Sequence, residues 1–242
     1  MLNRQIHVLQ DPKTLADTAA QHFVASATLA IAAKGSFSVA LAGGSTPKAM
    51  YELLATKYRE QVDWPQVDVF FGDERCVSPE HKDSNYKMAH DALLSKVPVP
   101  EEDVFRIRGE VDPQEAAKEY GLMLKEKFGA GGLDLVLLGM GDDGHTASLF
   151  PHTLALQEKE HRVVANWCEK STTGATWRIT MTPLFLNRAH EILFLIAGAN
   201  KADPLRQVLE GPADPERLPM QLIQPISGNL LLLLDAAAAG MA

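Results

Sequence analysis

An α/β fold with a mostly parallel sheet and helices on both faces is what three observations on this chain predict. Several short apolar runs, among them Phe37–Leu41, Val67–Phe71 and Leu133–Met140, are bounded by turn residues and read as strands buried on both faces. Stretches with apolar residues at helical spacing lie between them, so strand and helix alternate along the chain. A glycine-rich or charged motif then follows each of these three runs, at the carboxyl ends of strands, where open α/β sheets bind their ligands.

In chain order, apolar positions 15, 16, 19, 20, 23, 24 and 27 predict a first helix over 12–34. A strand over 37–41 turns at Gly43 and Gly44 into a helix with Pro47 as its first residue, running to Tyr58. A second strand, 67–71, precedes GDER, and a helix over 84–94 starts with Ser84 as its cap. Pro98 and Pro100 mark a loop before a helix at 113–128 and a strand at 134–138. Later strands are expected at 162–166, 177–181, 191–197 and 230–234, with a helix at 200–209 between the last two. No repeat or linker interrupts the chain, and a single domain over 1–242 is expected.

The net charge of −8 argues against nucleic acid or an anionic membrane as the main partner. It leaves room for an anionic small molecule, because a local cluster of Arg, Lys and helix N-termini overrides the global sign. Cys76 and Cys168 lie far apart without CxxC spacing, which speaks against a disulfide framework or a structural zinc and for a reducing, cytoplasmic setting. The segment from Arg4 to Asp11 makes a poor signal peptide, and the longest apolar runs fall short of the ~18–20 residues of a membrane span. The expected partner is a small molecule, with no nucleic acid and no membrane, and the expected assembly a monomer or weak homo-oligomer.

Four segments can carry chemistry. In AGGSTP, residues 42–47, a strand enters a Gly-rich turn and then a helix, so backbone N–H groups, the helix dipole and the hydroxyls of Ser45 and Thr46 can receive a phosphate. The spacing matches neither a P-loop nor GxGxxG, and the same residues can simply cap a helix. In FFGDERC, Arg75 can grip an anion, while Asp73 and Glu74 can orient hydroxyls or hold the arginine. In GMGDDGHTASLFP, residues 139–151, His145 next to Asp143 can act as a base near neutral pH, with the carboxylate fixing its tautomer. Asp142, Asp143 and His145 are also possible metal ligands, but no HxH, HExxH or second His/carboxylate pair supports a metal site. Arg178 and Lys201, scattered in sequence, could each bind a phosphate.

With these motifs in order, the chain resembles the 6-phosphogluconolactonase family over nearly its whole length. The markers are LAGGSTP at 41–47, FFGDER at 70–75, GMGDDGHTASLFP at 139–151 and IAGANKA at 196–202. The resemblance implies a Rossmann-like fold of the glucosamine-6-phosphate deaminase/ribose-5-phosphate isomerase-like group. It further implies hydrolysis of 6-phospho-D-glucono-1,5-lactone to 6-phospho-D-gluconate in the oxidative pentose phosphate pathway, without metal or cofactor. On this reading His145 and Asp143 are catalytic, and Gly43, Gly44, Ser45, Thr46, Asp73, Glu74, Arg75, Arg178 and Lys201 bind substrate. The deaminases of the group share DGH but carry a Glu just before the Pro, where this chain has Phe150 before Pro151. A same-fold isomerase or deaminase is therefore the runner-up. A sugar-phosphate sensor is a second alternative, but the first ~35 residues show no helix-turn-helix with a basic face.

Overall fold

The computed structural model describes residues 3–169 and 176–241. Its strands are β1 (Asn3–Leu9), β2 (Phe37–Leu41), β3 (Val67–Phe71), β4 (Asp73–Arg75), β5 (Leu135–Leu138), β6 (Val163–Cys168), β7 (Thr176–Met181), β8 (Glu191–Ile196) and β9 (Asn229–Asp235). Its α-helices are α1 (Pro12–Lys34), α2 (Ser45–Leu54), α3 (Asn85–Ala92), α4 (Pro113–Phe128), the short α5 (Pro183–Leu186) and α6 (Ala202–Glu210). Six strands form one sheet in the order β1-β9-β8-β5-β2-β3, and every pairing in it is parallel.

Strands β2 and β5 are buried along their whole length, the signature of a sheet covered on both sides. The strand order explains the cover. From β2 the chain steps outward to β3, whereas from β5 it steps the opposite way to β8 and then β9. Right-handed crossovers in opposite directions put their helices on opposite faces. The order reverses between neighbours β2 and β5, and the loops leaving those two strands flank the crevice at their carboxyl ends.

The first helix occupies 12–34 as expected, with Asp11 capping its first turn through the Thr14 N–H at 2.7 Å. Its buried residues, Leu15, Ala16, Ala19, Ala20, Phe23 and Ala27, come from the apolar set read from the sequence. Three features depart from the sequence reading. Strand β1 was not foreseen. Helix α2 starts at Ser45 rather than Pro47 and ends at Leu54 rather than Tyr58. The strands expected at 162–166 and 177–181 do not join the parallel sheet but form an antiparallel one, in the order β4-β7-β6. The connection between Cys168 and Thr176 is too short for the dozen or more residues of a parallel crossover, so a hairpin is the outcome. Among the described residues, no helix is long and apolar enough to cross a membrane.

Candidate active site

The loops after β2 and β5 and the chain leaving β3 through Gly72 enclose a cavity of about 190 Å³. Five of the residues singled out in the sequence line it: Gly43, Gly44, Asp73, Arg75 and His145.

Strand β5 ends at Leu138, and the chain then folds tightly on itself. The Gly141 N–H donates to the His145 carbonyl at 2.8 Å, and the Gly144 N–H to the Gly141 carbonyl at 3.1 Å. This turn brings the imidazole over the backbone of Gly141, where a Cβ would lie 2.0 Å from Nδ1. Only glycine admits that approach. Asp143 Oδ1 sits 2.6 Å from His145 Nδ1 and also accepts the His145 backbone N–H at 3.1 Å. Burial pushes the Asp143 carboxyl up, but the hydrogen bonds and charge of His145 outweigh it and the net shift is downward. An ionised Asp143 can hold a proton on Nδ1, an arrangement that leaves Nε2 able to accept one. Phe150, 8% exposed, packs its ring against the imidazole.

Across the cavity, α2 opens at Gly44, and no side chain caps it. Neither Ser45 nor Thr46 plays the capping role left open by the sequence; they are the first two helical residues, and their N–H groups have no partner within the helix. Together with the dipole these groups favour an anion. Gly43 is pressed against Asn85, whose Oδ1 lies 2.0 Å from where a Cβ would stand.

Strand β4 splits the DER motif by alternation. Asp73 and Arg75 line the cavity and Glu74 does not. Glu74 is 2% exposed and accepts from the Asn85 N–H (2.7 Å), the Tyr86 N–H (2.8 Å), the Ser84 hydroxyl (3.0 Å) and the Arg75 N–H (2.7 Å). It thus caps α3 together with Ser84, whose Oγ accepts from the Lys87 N–H. Burial raises the Glu74 carboxyl above its ordinary value although three backbone N–H bonds pull it back.

Arg75 and Arg178 face each other across β4 and β7. Burial, then the neighbouring Arg75 charge, draws Arg178 below its ordinary value. The Asp73 carboxylate acts on Arg178 in the opposite sense, so the two like charges on one face are partly offset there. Lys201 stands off the cavity lining. Its ammonium is paired with Asp142, which also accepts from Asn200 Nδ2 at 2.8 Å. Among the described residues, no group of three or more His, Cys, Asp and Glu is arranged to hold a metal.

Sequence reasoning missed Asn85, Ser148, Asn166 and Thr180, buried polar residues that support the site. Asn85 Nδ2 donates to the Asp73 carboxylate (3.1 Å) and carbonyl (2.9 Å), and Ser148 Oγ donates to the other Asp73 oxygen at 2.6 Å. The one available signal was Ser84, recognised as a cap without the residue beside it.

Residues 10–232 match the family model described as glucosamine-6-phosphate isomerases/6-phosphogluconolactonase. A 6-phosphogluconolactonase of Nostoc sp. is 40% identical over 243 residues, which cover 98% of each chain. A solved 6-phosphogluconolactonase from Trypanosoma brucei superposes with a TM-score of 0.87 at 29% identity, covering 99% of each chain. A monomeric glucosamine-6-phosphate deaminase superposes with a TM-score of 0.84 over 98% of this chain and 100% of its own, but at 20% identity it shares the fold alone. By sequence and fold together, the chain belongs to the glucosamine-6-phosphate isomerase/6-phosphogluconolactonase family.

Proposed function

We propose that the protein hydrolyses 6-phospho-D-glucono-1,5-lactone to 6-phospho-D-gluconate, a step of the oxidative pentose phosphate pathway. The observation that carries this reading is the His145–Asp143 pair, 2.6 Å apart, opening on a small cavity that also meets the N-terminus of α2 and Arg75. His145 Nε2 takes a proton from a water as its oxygen bonds to the C1 carbonyl carbon. When the tetrahedral intermediate collapses, the bond from C1 to the ring oxygen breaks and His145 returns the proton to that oxygen. Asp143 stabilises the imidazolium between the two steps, as an ionised carboxylate in hydrogen-bond contact.

The phosphate sits several bonds from C1. The N–H groups at Gly44, Ser45 and Thr46, with Arg75 and Arg178, bind it, and its remote binding holds the carbonyl beside the base. Asp73 accepts from sugar hydroxyls. Lys201 reaches the phosphate by exchanging Asp142 for it. The reaction has no redox step and needs no electron sink, so no cofactor enters. A metal on His145 Nε2 would block the proton transfer, so none is required there.

The setting is cytoplasmic, in keeping with two cysteines, Cys76 and Cys168, that are not joined in a disulfide. The protein acts as a monomer or weak homo-oligomer, which the concentration dependence of its sedimentation checks. The deciding assay follows 6-phosphogluconate from freshly made lactone against the spontaneous background. Acceleration that survives dialysis against EDTA is expected. A rate equal to the background would overturn the reading.

A further inference from the structure

The base and the arginines belong to different sheets. His145 leaves strand β5 of the parallel sheet, whereas Arg75 and Arg178 stand on β4 and β7 of the antiparallel one. Three residues after His145, Ser148 is 1% exposed, and each of its polar groups bonds to a different strand of the antiparallel sheet. Its Oγ donates to Asp73 Oδ2 on β4 at 2.6 Å. Its backbone N–H donates to Thr180 Oγ1 on β7 at 3.2 Å. Its carbonyl accepts from Asn166 Nδ2 on β6 at 2.9 Å.

All three partners are buried, Thr180 completely. Asp73 lies two residues from Arg75, and Thr180 two residues from Arg178, so each shares a sheet face with its arginine. Just before Ser148, Ala147 holds φ at +47°, a left-handed conformation that a residue with a Cβ adopts at a cost and keeps only where its surroundings dictate it. Apolar packing alone would bring the loop and the sheet together. Three directional bonds to three strands also fix where along the strands the loop sits.

Resting on the reading above, we propose that Ser148 is a positioning residue that sets the distance between His145 and the arginine pair. A phosphorylated lactone, anchored by its phosphate to the arginine-bearing strands, presents its carbonyl to the base only if that distance is kept. A lactone without phosphate lacks the arginine anchor, keeps only the Asp73 contact to its hydroxyls, and depends far less on the joint.

The test compares both lactones on Ser148→Ala and Ser148→Cys, the second keeping the shape but donating weakly. For Ser148→Ala, kcat on the phosphorylated lactone should fall about 10- to 100-fold, the effect of an ångström-scale misplacement. Its affinity for 6-phosphogluconate, measured by calorimetry, should stay near the wild-type value. Its rate on glucono-1,5-lactone should fall by much less. Ser148→Cys should show the same selective loss to a smaller degree, and it decides the matter if the alanine variant fails to fold. An equal loss on both lactones would mean that Ser148 serves His145 alone, and the proposal falls. It falls too if neither rate changes, or if product affinity drops while kcat holds. A wild type with no preference for the phosphorylated lactone would overturn the parent reading instead, which keeps the two failures apart.

Discussion

The phenyl ring of Phe150 and the imidazole of His145 lie with their centroids 4.4 Å apart and their planes tilted by 39°. The imidazole is thereby held by hydrocarbon against the ring and by the Asp143 carboxylate at Nδ1. Among the described residues, Asp143 is the carboxylate in hydrogen-bond contact with the ring. In the deaminase pattern a glutamate stands where this chain has Phe150, so the contact bears on which reaction the pocket supports.

The protein should release no ammonia from glucosamine-6-phosphate. Phe150→Leu should keep most of the lactonase rate, because an apolar support remains. Phe150→Glu should lower both rate and stability without producing a deaminase, since an unpaired carboxylate buried there costs a few kcal/mol, roughly. Ammonia release by the unmodified protein, followed by a coupled assay, would move the function to the runner-up.

His145→Ala should reduce kcat by about 10²- to 10⁴-fold, the usual worth of general acid–base catalysis. The side chain is partly exposed and its Nδ1 contact is local, so circular dichroism and product affinity should stay close to wild type. A folded variant with near-normal turnover would show that another group is the base.

Arg178→Lys keeps a positive charge but loses the planar fork that matches a phosphate. KM for the phosphorylated lactone should rise about tenfold or more, in the range for hydrogen bonds to charged groups, while glucono-1,5-lactone is turned over as before. Equal changes on the two substrates would place Arg178 outside the phosphate site.

The folded Asp143 carboxyl titrates below its ordinary value of 3.8. A depressed carboxyl contributes stability that is present above the unfolded value and lost as the pH falls through the folded one. The melting-temperature difference between wild type and Asp143→Asn should therefore not shrink between about pH 8 and about pH 5, and should vanish only in strong acid. A gap that closes already at about pH 6 would mean that the pair with His145 does not depend on this ionisation.

The parallel core could be read from the sequence because strands such as β2 and β5, buried on both faces, leave unbroken apolar runs. Strand β1 left no such run. It pairs with β9 at the sheet edge, with Ile6 40% and Val8 45% exposed, and what holds it is backbone hydrogen bonding rather than burial. Strands β6 and β7 were visible as strands, but apolar pattern does not name a partner. The short stretch between them was the available clue and it implied a hairpin. At the site, His145, Asp143 and the Gly43 turn stood out because charged and glycine residues follow strand ends. Ser148 and Asn166 did not, because a small polar residue has no periodic signature. Ser148's meaning lies in a carboxylate 75 positions away. Lys201 was legible as a cation, but not its engagement by Asp142, which only the fold brings within reach.

The pairing of β1 with β9 joins Asn3 to Asn229 and Leu9 to Asp235, nearly the whole chain apart. During synthesis β1 emerges early and its neighbour almost at the end, so this edge of the sheet is zipped only after the intervening strands exist. Contacts of such separation are slow to close, because the loop entropy must be met before the pairing rewards it. In the interval β9 presents an open strand edge, of the kind that pairs with other chains. During refolding, pulsed hydrogen exchange should find the amides of β1 gaining protection after those of β2 and β5, and aggregation should be worst within that same window. Early protection of β1 would show instead that the sheet closes from its edge inward.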